Sequence, residues 1–396
     1  MTDPTTPQPR RSPLHETHER HGASFTDFGG WLMPVRYSSD LAEHHAVRQA
    51  AGLFDISHMA EFLIEGARAG DYLDYALAGR VSTMKVGKAK YSLVLALDGG
   101  IVDDVIVYRL DEDRFLVISN AGNREAVAGA LAAASDAFAA VAPFPDGAVE
   151  GDFTSVSGGE QPRIEDVTDD FALLAVQGPA AAAILAATDG VEDITPGLDE
   201  LRNYAWASGT FRGEPLLVAR TGYTGEDGFE LMVPAGAASA LWDALLAAGE
   251  SHGIVPAGLA ARDTLRLEAG MPLYGHELSR DILPGQAGLG RVVAVDKPDF
   301  VGKAALSSVL STGAPVLVGL VSEGRRAGRA GYAVYAGDER VGEITSGALS
   351  PTLGHPVAMA FVSPSAAADG TALTIDVRGT RIPATVTALP FYRRTA

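Results

Sequence analysis

The chain has 396 residues, 47% hydrophobic and 20% charged, enough apolar material for a large core and too much length for one ordinary domain, so two or three packed units are expected. Asp and Glu number 50 against 31 Lys and Arg, and the net charge of −19 opposes binding to a nucleic-acid backbone. Cysteine is absent, which excludes disulfides, thiolate metal sites, iron–sulfur clusters and a cysteine nucleophile.

The N-terminal "MTDPTTPQPRRSP" is polar and Pro/Thr-rich, lacks the apolar core of a secretory signal, and reads as a disordered tail over residues 1–12. Nowhere do about 18 apolar residues run together, so no membrane association is expected. "LHETHERHG" (14–22) places His15, His18 and His21 on one side of a first helix. With no HExxH and no companion carboxylate motif, they are expected to be solvated rather than metal ligands. "DLAEHHAVRQAAGLFDIS" reads as an amphipathic helix from Asp40 to near Gly52, and "HMAEFLIEG" as a strand.

Between Lys90 and Asn120, the runs "YSLVLAL", "IVDDVIVYRL" and "RFLVISN" are separated by "DGG" and "DED", which predicts a three-stranded meander. A helix around "NREAVAGALAAAS" follows, then a strand "FALLAVQGP". Strands are expected around "RNYAWASGTF", "PLLVAR" and "FELMV", the last two joined by the glycine-rich "RTGYTGEDG". "AGAASALWDALLAAGESHG" and "PAGLAARDTLRLEAG" read as helices, the second with Pro256 in its first turn and a stop at Gly270. Glycine and proline accumulate between 285 and 310, and beyond lie six short β-rich runs. The expected organisation is an α+β body over 13–285, a linker over 286–309 and an all-β barrel domain over 310–396.

Three features carry candidate chemistry. Asp103 and Asp104 stand side by side in an otherwise apolar strand. Alternation sends Asp103 to the face of Ile101 and Val105, and Asp104 to the face of Val102, Ile106 and Tyr108. Either the pair is a hairpin cap and an edge-solvated residue, or one carboxylate is a buried acid–base group. Arg262 projects between Leu259 and Leu265 from an apolar helix stripe. It needs a carboxylate, either structural (Asp263 or Glu268) or on a ligand. In "RTGYTGEDGFELMV", Gly222, Gly225 and Gly228 let Tyr223 and Glu230 face one cavity, although a hairpin with acidic decoration has the same signature. P-loop, GxGxxG and GxSxG motifs are missing.

Taken together, "FDISHM", "YSLVLALDGGIVDDVIVY", "SNAGN", "RTGYTGEDGFEL" and "GLAARDTLRLEAGMPLYGHEL" resemble the aminomethyltransferase of the glycine cleavage system, the T-protein family, over about residues 13 to 392. The resemblance implies a three-lobed folate-binding fold with a C-terminal barrel and tetrahydrofolate as co-substrate, without a metal. It also implies a lipoylated H-protein partner that delivers the aminomethyl group. Asp104 matches the essential aspartate, because the family's pocket asparagine lies sixteen residues on, where Asn120 stands. Tyr91, Tyr223, Glu230 and Arg262 match the folate-side positions, and "PFYRR" offers Arg393, or Arg394, as a C-terminal contact. Asp103 is then a structural or solvated neighbour.

Lys85, Lys88 and Lys90, and Arg325, Arg326 and Arg329, form two basic segments. Each is either a solvated loop or a guide for the folate tail or the H-protein. A relative fused to a flavin oxidase needs an N-terminal dinucleotide-binding domain, for which this chain has neither fingerprint nor room. The relatives that assist iron–sulfur assembly carry a cysteine motif that is missing here. With no transit peptide recognisable, a bacterial-type cytoplasm is expected ahead of a mature mitochondrial chain, which would read the same.

Overall fold

The three largest hydrophobic cores organise the computed structural model, which describes residues 8–141, 161–309 and 313–394. The first lies on a five-stranded sheet, in spatial order Ala89–Leu95, Ile101–Asp111, Arg114–Ser119, Ala60–Glu65 and Arg163–Asp166. Its first three strands are the expected meander. Alternate residues Val105, Val107, Phe115 and Val117 are buried with Tyr72, Leu73 and Leu131 of the helices Ala69–Ala76 and Arg124–Val141.

The second core surrounds a seven-stranded sheet. Its strand Phe171–Gln177 lies between Gly228–Pro234 and Ala51–Asp55 and is buried along nearly its whole length. That burial is why its sequence is a continuous apolar run rather than an alternating one. The helix expected to reach Gly52 stops at Gln49, and Gly52 lies inside the strand Ala51–Asp55. The helix folds back so closely that a Cβ on Gly52 would meet Val47 Cγ2 at 2.5 Å, so here glycine marks a close approach and not a helix end. Likewise Pro256 ends the edge strand Ile254–Pro256, and the next helix, Leu259–Glu268, begins only after an extended Gly258.

The third core fills a closed barrel of six strands, Val316–Ser322, Ala333–Ala336, Glu339–Leu349, Pro356–Val362, Ala372–Val377 and Thr380–Thr387, which are the six expected runs. Closure pairs every strand edge, so short strands suffice.

Several expectations are corrected. Of the tail assigned to residues 1–12, residues 1–7 lie outside the described residues. Arg10–Arg11 form a strand parallel to Trp31–Arg36, and the Ser12 hydroxyl donates to Asp55 at 2.5 Å. His15 and His18 are buried rather than solvated. His18 pairs with the Asp55 carboxylate and the Tyr37 hydroxyl, each at 2.8 Å, which fastens the first helix to the second core. The segment expected as a linker over 286–309 is packed: the buried Lys297 ammonium donates to the carbonyls of Asp74, Leu77 and Gly79, and Lys303–Val309 form a helix.

The barrel is tied to the body through Glu268. Its carboxylate accepts from Arg48 at 2.8 Å and from the Ser350 and Thr352 hydroxyls at 2.5 and 2.7 Å, with His44 3.3 Å away. Burial alone raises this group, but the His44 hydrogen bond and charge, with Ser350 and Thr352, hold it at about 2, below its ordinary 4.5. Its contribution is therefore complete above pH 4.5 and lost as pH falls through 2, on the order of 3 kcal/mol. Glu268→Gln should flatten the acid limb of stability against pH in urea titrations. An unchanged limb counts against this junction as an acid-sensitive tie.

Candidate active site

A cavity of about 440 Å³ lies between the first two cores. Tyr91, Asp104, Ile106 and Tyr108 reach it from the meander, Glu230 and Leu173 from the seven-stranded sheet, Tyr223 from the glycine-rich turn and Arg262 from its helix. Among the described residues, the barrel contributes nothing to its wall.

The meander positions the aspartates through an irregularity. Pairing with the neighbouring strand jumps from Val94–Asp103 to Leu95–Ile101, leaving Val102 as an extra, bulged residue. On the other side Ile106 pairs with Ile118, so Asn120, one residue beyond that strand's end, comes opposite Asp104. Its side-chain amide donates to Oδ1 of Asp103 and to Oδ1 of Asp104, both at 2.8 Å. Asp103 further accepts from the Asn120 backbone at 2.9 Å and from Asn123 at 2.6 Å, and the Tyr91 hydroxyl donates to Asp104 Oδ2 at 3.1 Å. The expectation that Asp103 is solvated is thus corrected, whereas it does stay off the cavity wall, on the face opposite Asp104. It is fully buried and shares one amide with Asp104.

Burial dominates the proton affinities here. It raises Asp104 against the hydrogen bonds from Tyr91 and Asn120. Burial and then the Asp104 charge push Asp103 up to about 7. Burial also holds the Tyr91 phenol well above its usual range, so Tyr91 acts as a donor.

The glycine-rich turn forms over Gln177. Gly225 has φ +81°, which favours glycine, and a Cβ on Gly222 would come within 2.0 Å of Gln177 Oε1 and displace the amide that bonds Thr221 and Thr224. The turn aims Tyr223, whose hydroxyl donates to the Pro272 carbonyl at 2.5 Å. Glu230 Oε2 accepts from Thr221 at 2.5 Å and Tyr108 at 3.5 Å.

Arg262 lies with Cζ 4.9 Å from the Tyr223 ring centroid, and its buried Nη1 has no hydrogen-bond partner among the described residues. The structural partners considered for it are engaged elsewhere, Asp263 with Arg266 and Glu268 with Arg48. That leaves an unsatisfied guanidinium donor at the cavity wall, and a ligand acceptor fits the open valence. Beside it, burial and then the Arg262 charge hold His58 down at about 4, a neutral imidazole whose Nδ1 also lacks a partner.

Of the expected site residues, Tyr91, Asp104, Asn120, Tyr223, Glu230 and Arg262 all meet in this cavity. Arg393 does not: it is exposed and outside the wall, while Arg394 reaches Asp227 at 3.4 Å. Neither basic segment lines the cavity; the Lys90 ammonium donates to the Arg80 carbonyl, and Arg329 to that of Gly347. His58, Tyr204 and the segment Met271 to Tyr274 line it without having been singled out. Tyr108 shares the Asp104 face and was legible by alternation; the others carried no pattern of their own. Among the described residues no cluster fit for a metal occurs.

Comparison with known proteins gives a consistent picture. Residues 14–297 match the family described as "GCVT N-terminal domain", and residues 316–393 match "Glycine cleavage T-protein C-terminal barrel domain". A protein of Cutibacterium acnes named aminomethyltransferase is 54% identical over 97% of this chain and 99% of its own. Its namesake from Streptomyces coelicolor is 50% identical over 97% and 98%. The crystal structure of the glycine cleavage system aminomethyltransferase T from Bartonella henselae superposes with a TM-score of 0.83 at 37% identity, over 97% of this chain and 98% of that one.

Proposed function

The chain belongs to the glycine cleavage T-protein family of aminomethyltransferases, and from that premise we propose how its cavity carries out the reaction. It is a tetrahydrofolate-dependent aminomethyltransferase of glycine cleavage. The aminomethyl group arrives on a lipoyl sulfur of an H-protein. The C–S bond breaks to leave the dihydrolipoyl thiol, the nitrogen departs as ammonia, and the carbon becomes bonded to N5 and N10 of tetrahydrofolate.

The observation that carries our assignment of roles is the Asp104 carboxylate, presented at the cavity wall between two neutral donors, Tyr91 and Asn120. Neutral donors fix the carboxylate without neutralising it. It thereby keeps the capacity to accept a proton from the folate amine and to face the cationic iminium-like species formed as ammonia leaves. Glu230, with Oε2 held by Thr221 and Tyr108, offers its other oxygen to the donor edge of the pterin. Tyr223 and Tyr91 supply aromatic surface, and the unpartnered Arg262 Nη1 supplies a charged donor. A lipoylated H-protein as carrier and a bacterial-type cytoplasmic setting complete the proposal, supported by the bacterial relatives. The net charge of −19 argues against nucleic acid as a partner.

The direct test mixes the protein with aminomethyl-loaded lipoyl carrier and tetrahydrofolate and measures ammonia and 5,10-methylenetetrahydrofolate. Folate binding without either product contradicts the proposal. Glu230→Gln should raise the KM for tetrahydrofolate about tenfold, the loss of a hydrogen bond to a charged group, with kcat little changed. An unchanged KM would remove Glu230 from pterin recognition.

A further inference from the structure

We propose that Asp103 is a positioning residue that, through Asn120, holds the Asp104 carboxylate toward the reacting amine and sets the pH at which it becomes a base. The proposal rests on the reading of Asp104 given above.

A single amide makes the link. Each of the two N–H bonds of the Asn120 side chain goes to one aspartate, so neither carboxylate can move without disturbing the donor of the other. Asp103 anchors the amide from behind, because it also takes the Asn120 backbone N–H and the Asn123 side chain. Asp103, itself held by Asn123, thereby fixes Asn120 at two points, its backbone N–H and one side-chain N–H, and the second side-chain N–H is aimed at Asp104.

The link is also electrostatic. Every hydrogen-bond donor to the pair is neutral: Asn120, Asn123 and Tyr91. The titratable groups acting on the pair, among the described residues, are phenols: Tyr91 from the adjacent strand, already named as a donor, Tyr223 from the glycine-rich turn and Tyr274 from the segment after the Arg262 helix. Burial raises all three above the ordinary phenol value, so they stay neutral. With no cation among the described residues paired to either carboxylate, ionising both places like charges together out of water. Asp103 is pushed up to about 7 by burial and then by Asp104, as expected of such a coupled pair. Such coupling is reciprocal, so an ionised Asp103 raises the proton affinity of Asp104 in turn.

The test is the pH dependence of kcat with aminomethyl-loaded carrier at saturating tetrahydrofolate. Asp103→Asn removes the charge, and the acid limb should move to lower pH by about one unit, with kcat at the plateau reduced because a weaker base and a less constrained Asn120 remain. A merely structural Asp103 lowers the amount of folded enzyme or kcat but leaves the limb where it was, and that result overturns the proposal. Asp104→Asn is run in parallel: parent-level turnover there removes the role of Asp104 and this proposal with it, whereas an inactive Asp104→Asn beside an unmoved Asp103→Asn limb removes this proposal alone. If Asp103→Asn does not fold, the parent protein decides, through a carboxyl 13C NMR titration of labelled aspartate. Two inflections in each resonance support the coupled pair, and two independent single-step curves overturn it.

Discussion

Asp104→Asn is expected to lower kcat by about 10²- to 10⁴-fold, the usual contribution of a placed general acid–base group, while tetrahydrofolate still binds. The substitution keeps the shape of the side chain; its one amide oxygen can still accept from Asn120, while its NH2 faces the Tyr91 hydroxyl, which must turn from donor to acceptor. What it loses is the charge and the ability to take a proton. The other expected folate contacts, Tyr223, Glu230 and Arg262, come from different elements and stay in place, so the change should fall on turnover more than on affinity. Single-turnover formation of methylenetetrahydrofolate, read beside a folate-binding titration, separates the two. Parent-like turnover would show that a neutral acceptor suffices and that Asp104 is not the base. A joint loss of binding and rate would instead make Asp104 a binding residue.

Arg266→Leu should destabilise the protein by about 3–5 kcal/mol, the range for breaking a buried ion pair from one side. Arg266 is 2% exposed. It donates to Glu277 at 3.0 Å, Asp263 at 2.8 Å and the Ser346 hydroxyl of the barrel at 2.8 Å. Glu277 is itself buried, and its Oε1 has no hydrogen-bond partner among the described residues, so removing the guanidinium leaves a carboxylate without a counter-charge. Glu277 Oε2 also accepts the backbone N–H of Leu273 at 2.9 Å, within the segment Met271 to Tyr274 that lines the cavity. Urea unfolding measures the loss. The double variant Arg266→Leu with Glu277→Leu should recover much of it, since it removes both charges together. A loss below about 1 kcal/mol for the single change would mean that water reaches Glu277 and that the pair is not a structural centre.

Much of the fold was legible because it is local. The meander from Ala89 to Ser119 and the six barrel strands alternate or run apolar between glycine and acidic turns, and neighbouring runs pair with one another. The readings that failed depended on residues distant in sequence. Gly52 looked like a helix stop because its reason for being glycine, the approach of Val47, exists only after the helix folds back on its own strand. His15 and His18 looked solvated because nothing near them in the chain announces Asp55 or Tyr37. Arg10 and Arg11, placed in the tail, are ordered by Trp31 and Leu32, more than twenty residues on.

The candidate site divides the same way. The motifs around Asp104, Tyr223, Glu230 and Arg262 gave the residue types, and the fold gathers them in one cavity. Sequence alone left Arg262 between a structural partner and a ligand. Tertiary structure decided against the structural partner by engaging Asp263 and Glu268 with other arginines. Alternation places Asp103 and Asp104 on opposite faces, and the amide of Asn120, just beyond the end of the next strand, bridges them. Periodicity describes a strand that pairs without interruption, so it identified the elements and the residues able to do chemistry. Which of those residues touch is set by bulges, strand ends and packing between distant segments, and only the folded chain contains those.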